Sequence, residues 1–172
     1  MVIRLIETAL LLALSLLSDF RGGRIDNRII LFFIPAGVLT GLAASGPGAL
    51  PASLLGILLP PMLLFWLYLP GMLGAGDIKL FCAVGAIAGA GFVLPCIAWS
   101  FLAGGVAALA VMLVRRNAVA RFRYLGSYLK ACFLTGSFLE YAKIKDNSDG
   151  SKFHFSAAIA AGAMIQAALT LL

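Results

Sequence analysis

From residue 29 to residue 114 the chain carries only two charged side chains, Asp77 and Lys79. A soluble domain within 172 residues could not enclose that much apolar chain in a single core. Apolar runs of about 18 residues or more are instead the mark of helices that cross a bilayer, where each backbone polar group must be satisfied within its own helix. Composition agrees, with 62% hydrophobic and 12% charged residues and a mean hydropathy of +1.05. The expected architecture is an all-α membrane protein of about six transmembrane helices, a single domain over residues 1–172.

Taken in order, residues 2–18 form the first expected span, with Asp19 at its end. Residues 20–28 make a polar connector with a Gly22-Gly23 turn signal. Residues 29–44 form a second span, 45–51 an uncharged turn, and 52–69 a third span in which Pro60-Pro61 predicts a kink. A glycine-rich connector over 70–76 leads into a short fourth helix over 77–88. Gly89-Ala90-Gly91 then turns the chain into a fifth over 92–114. The long polar stretch 115–152 precedes a last span over 153–172. Arg4 ahead of an apolar run loosely resembles a cleavable leader, but the later spans favour a retained helix.

Charge distribution orients this bundle. Arg21, Arg24, Arg28, Lys79 and the eight basic residues of 115–152 all follow odd-numbered helices, whereas the connectors after helices 2 and 4 are uncharged. Cytoplasmic loops carry the excess of Lys and Arg, so the polar connectors are expected on the cytoplasmic face and the N-terminus outside. Arg4 is the exception, with Glu7 a turn away as its expected partner. The net charge of +6 is accounted for by topology and contact with lipid headgroups, so nucleic acid is not expected as a partner. Val119, Phe122, Leu125, Leu129, Cys132 and Phe133 recur at helical spacing among basic residues. That predicts an amphipathic helix on the membrane surface. Residues 145–150 read as a loop.

Ionisable groups in or beside membrane spans are expensive and are functional candidates by default. Asp19 and Asp77 fall on the same expected face. Two carboxylates brought close together cannot both ionise cheaply, so one holds a proton while the other does not, and the pair supplies a general acid and a general base. Such a dyad can activate water against an amide without metal or covalent intermediate. Gly74 and Gly76, lacking Cβ, would let another backbone, such as that of a substrate, come close. Lys79 reads as an interfacial anchor. Asp26 reads as a cap for helix 2 or a partner of Arg24 or Arg28, and the single histidine, His154, as a headgroup-level structural residue. Cys82, Cys96 and Cys132 show no CxxC spacing, so neither a metal site nor redox chemistry is expected, and no cofactor. From another functional class, a small proton-coupled transporter or channel would use Asp19 and Asp77 as ion sites. Both acids lie at one face and not near the midplane, and no paired broken-helix repeat is present, which weighs against it.

The stretch Gly74-Ala75-Gly76-Asp77-Ile78-Lys79-Leu80 resembles the GxGD motif of the type IV prepilin peptidases, which are membrane aspartic proteases. Ser18-Asp19-Phe20-Arg21-Gly22-Gly23-Arg24-Ile25-Asp26-Asn27 resembles that family's segment around its first catalytic acid, with Asp26 where proline is usual. Residues 155–163 resemble its closing segment, with His154-Phe155 where Pro-Tyr is frequent. The resemblance implies cleavage of prepilin or pseudopilin leaders after a glycine, at the cytoplasmic side of the bacterial inner membrane. It implies Asp19 and Asp77 as the catalytic pair and Gly74 and Gly76 as the motif glycines. Long members that also N-methylate the product usually carry paired CxxC motifs, which this sequence lacks. It is more similar to the short, peptidase-only members associated with tight-adherence pili.

Overall fold

The computed structural model describes residues 2–114 and 155–171, and these form six α-helices. They are α1 Val2–Gly22, α2 Asn27–Ser45, α3 Ala49–Tyr68, α4 Ala75–Ala88, α5 Ala90–Val114 and α6 Phe155–Leu171. The chain therefore contains the expected order of helices, including the break between the fourth and fifth. The expected surface helix around 119–133, the loop at 145–150, Cys132 and His154 lie outside the described residues.

The helices run alternately up and down. One end of the bundle gathers the end of α1 with the starts of α2, α4 and α6. The opposite end gathers Arg4 of α1, Ser45 of α2, Ala88 of α4, Phe92 of α5 and Thr170 of α6 around a cavity of about 540 Å³. At that far end Arg4 donates to the Ser45 hydroxyl at 3.0 Å and to the Gly41 carbonyl at 3.4 Å. The expected partner of Arg4, Glu7, instead accepts from the Thr40 hydroxyl at 2.7 Å. The reason is that α2 brings its own polar groups against this face of α1, offering each side chain a partner across the helix pair.

Three segments, Asn27–Ser45, Ala49–Tyr68 and Ala90–Val111, are long and apolar enough to cross a membrane. Their outward faces expose Leu31, Phe32, Leu58, Met62, Trp66 and Leu102. The fourth helix differs. At 14 residues and about 1.5 Å per residue it extends only about 21 Å, and its body is enclosed, with Leu80, Phe81, Ala83, Val84, Ala86 and Ile87 all fully buried. α4 packs against each of the other five helices.

What allows that central position is a set of contacts made by small residues. A Cβ added to Gly56 of α3 would lie 2.2 Å from the Gly85 carbonyl oxygen of α4, and one added to Gly85 would lie 2.0 Å from the Gly56 carbonyl oxygen. The two backbones thus touch directly. On α4's other side, Gly37 of α2 meets Ile87, with 2.8 Å between the would-be Cβ and the Ile87 backbone. Between apolar helices in lipid there is no hydrophobic drive to associate, and close packing of small residues supplies the attraction.

Helix limits differ from the sequence reading in ways that trace to glycine. α1 does not stop at Ser18 but continues a turn to Gly22, because the first residue to take the left-handed conformation is Gly23, with φ 61°. The Gly23 N–H then closes the helix on the Asp19 carbonyl at 2.7 Å. α4 begins at Ala75, ahead of Asp77, and ends at Gly89, with φ 84°. α3 continues through Pro60 and Pro61.

Gly85→Ala and Gly56→Ala are each expected to destabilise the bundle by about 3 kcal/mol or more, since backbone must move to admit the methyl group. Gly105→Ala, whose Cβ would meet nothing within 4 Å, should be neutral or slightly stabilising. Thermal melts of the three variants in one detergent test this ranking.

Candidate active site

The buried residues of α1 are Thr8, Leu11, Leu12, Ser15 and Asp19, spaced so that they form one helical stripe. That stripe faces α4 and α6, and Asp19 is its last member, in the final turn. It is buried to 9% exposure, so the acid is inside the helix and not just past its end. Asp77 lies in the first turn of α4, partly buried. Its carboxylate folds back over its own helix start, beside Gly74, and lies within reach of the Asp19 charge. The two acids, 58 positions apart in sequence numbering, are brought together at the same end of the bundle.

Gly74 precedes α4 as its N-cap, in extended conformation. A Cβ there would sit 3.1 Å from the Asp77 carboxylate oxygen. The first motif glycine therefore makes room for the motif's own acid. Gly76 faces the Ile25 side chain at an ordinary 3.6 Å.

The connector between α1 and α2 is held by its own polar groups. Ser18 donates to the Arg24 carbonyl at 3.2 Å and accepts from the Asp26 backbone N–H at 3.0 Å. Proline at this position would have no such N–H to give. Asp26 caps α2, accepting from the Arg28 backbone N–H at 2.9 Å. Lys79, exposed on the first turn of α4, donates to Asn27 Oδ1 at 3.1 Å. So the second motif is docked onto the first at two further points, Lys79 on Asn27 and Gly76 on Ile25.

One residue of the site was not singled out from the sequence. Ser156, in the first turn of α6 and 1% exposed, donates its hydroxyl to Asp19 Oδ2. A turn before Asp19, Ser15 is fully enclosed, and its hydroxyl has no protein partner among the described residues. Among those residues no three His, Cys, Asp or Glu side chains are grouped to hold a metal ion.

Against this geometry stands one comparison. Residues 6–109, more than half of the chain, match the type IV leader peptidase family. The chain belongs to that family. Both acids and the whole of α2, α3 and α4 fall within the match, whereas α6 lies beyond it. No curated protein matches, and no solved structure does.

In this leader peptidase the Asp26 cap is expected to contribute about 1 kcal/mol. Asp26→Ala should lower the melting temperature, while Asp26→Ser, which keeps a capping oxygen, should lie close to the unmodified protein.

Proposed function

We propose that the chain is an intramembrane aspartic endopeptidase that removes the leader of type IV prepilin-like or pseudopilin precursors. Cleavage falls after a glycine, at the cytoplasmic face of the inner membrane. The observation that carries this reading is the convergence of Asp19 and Asp77, from different helices, within electrostatic reach at one end of a bundle of leader peptidase family membership.

In this reading the six helices form one membrane-embedded bundle with the N-terminus outside and the polar end at the cytoplasmic surface. α4, at about 21 Å, is shorter than the roughly 30 Å hydrocarbon core. Its Asp77 end then lies near one surface, where water can enter. The dyad shares a proton: the ionised carboxylate takes a proton from water as it attacks the scissile carbonyl, while the protonated one gives its proton to the carbonyl oxygen; on collapse of the tetrahedral intermediate the first passes the water proton to the leaving amine and the second takes its own back from the hydroxyl. No metal, cofactor or methyl donor takes part, and the product is left unmethylated. The Asp77 carboxylate folds back over its own helix start beside Gly74, so its direction is set before substrate arrives. Lys79, bonded to Asn27, anchors the same turn at the headgroup level and leaves the site open to an extended precursor segment.

Co-expression of a prepilin from the same cell tests the proposal. Asp19→Asn and Asp77→Asn keep shape but cannot cycle a proton, and each is expected to lower processing by at least about 10³-fold. Both variants must be recovered from the membrane at the level of the unmodified chain. Processing that survives either change would leave the pair structural and the mechanism wrong.

A further inference from the structure

The two acids stand in unequal surroundings. Asp77 sits at a helix start, where unused backbone N–H groups are available to a carboxylate, and its own folds back beside Gly74. Asp19 sits at a helix end. There the spare backbone groups are carbonyls, which offer a carboxylate nothing, and the one N–H closing the helix, that of Gly23, is spent on the Asp19 carbonyl. A carboxyl group on a helix has a broad, nearly two-fold terminal torsion. Without an outside donor, nothing in α1 would fix where the Asp19 oxygens point.

The outside donor comes from 137 residues further along. We propose that Ser156 is a positioning residue for Asp19, pinning Oδ2 so that Oδ1 is left to face Asp77 and the attacking water; this rests on the dyad reading given above. Four observations converge on it. The Ser156 hydroxyl is fully enclosed, where most polar side-chain atoms are hydrogen-bonded. Its partner is the acid itself. It belongs to the first turn of α6, whose positive dipole end then faces a carboxylate.

The fourth observation is that the height of that turn is fixed from behind. Phe155 packs on Phe101 of α5 with ring centroids 5.4 Å apart, and a Cβ on Gly104 would meet the Phe155 ring at 3.0 Å. About two turns further along α6, Gly162 lies against the Ser100 backbone, 2.5 Å from nitrogen to its would-be Cβ. α6 cannot slide along α5 without overlap, so Ser156 is delivered to Asp19 by packing and not by the hydrogen bond alone. The hydroxyl does not touch the reacting atoms. It acts by holding the one that does.

The test uses the full-length chain in detergent with a prepilin that it cleaves, comparing Ser156→Ala, Ser156→Cys and Asp19→Asn. A hydrogen bond to an ionised group is worth enough to slow the reaction about ten- to a hundredfold when it is lost. Both Ser156 variants are expected to lose kcat by that factor with KM changed less than about twofold, because the defect is in alignment and not in binding. Cysteine is the decisive variant: it keeps a side chain of the same shape, slightly larger, but is a weak donor. If Ser156→Cys cleaves at the unmodified rate, the residue is packing only and the inference fails. It fails equally if Ser156→Ala keeps kcat, or if the loss appears in KM alone. Asp19→Asn separates the two claims. Full activity in that variant sinks the dyad itself, while an inactive Asp19→Asn beside a fully active Ser156→Ala sinks only the role of Ser156.

Discussion

The direct contact of the Gly56 and Gly85 backbones is the constraint from which the rest of this bundle follows. Because neither residue has a Cβ, α3 and α4 approach until carbonyl meets glycine. α4 can then stand at the centre, touched by each of the other five helices. A short helix with an enclosed body is an unusual element for a chain otherwise built of long apolar segments. Its brevity makes sense once it is seen as the axis and not as part of the lipid-facing wall. Enclosure also explains why its charges sit where they do. Past Lys79 the helix is buried at most positions, and Asp77 and Lys79 both lie near its start.

The polar end is then assembled as a set of mutual supports. Asp77 folds back beside Gly74, Asp19 is held by Ser156, and the α1–α2 connector by Ser18 and Asp26. Lys79 reaching Asn27 joins the halves. Each of these is modest alone, about 1 kcal/mol for a neutral pair and somewhat more where a carboxylate accepts. Their value lies in direction. Carboxylates that act as acid and base must hold their geometry through the reaction, and donors fixed by helix ends do that at no cost when substrate binds.

Much of the frame was legible in the sequence because the signals were local. Glycine at 89 and 91 between apolar runs marked the boundary of α4 and α5, and Gly89 does adopt a left-handed φ. Asp26 before an apolar run marked a cap, and it caps. The errors were also local in origin. Reading a charged residue as a helix end placed Asp19 outside α1, when the end is set by the first glycine able to turn left-handed. Reading an i to i+3 pair as partners joined Arg4 to Glu7, when α2 offered closer acceptors and donors to each. Ser156 was not legible at all. A serine among alanines carries no mark of its partner, and no spacing rule spans the interval from Asp19.

That last failure points to how such a site is divided along the chain. Residues within the family match, from α1 to α5, bring in both acids and the glycines that seat them. Yet α1 cannot supply a donor to its own terminal carboxylate, for the same reason that any helix end cannot. The start of another helix at the same level can supply one, and among the described residues α2, α4 and α6 begin there. α2 spends its first turn on the Asp26 cap, and α4 spends its own on Asp77. α6 turns the hydroxyl of its own first turn, that of Ser156, to Asp19. Its side-by-side packing on α5, through Gly104 and Gly162, sets that turn at the height of Asp19.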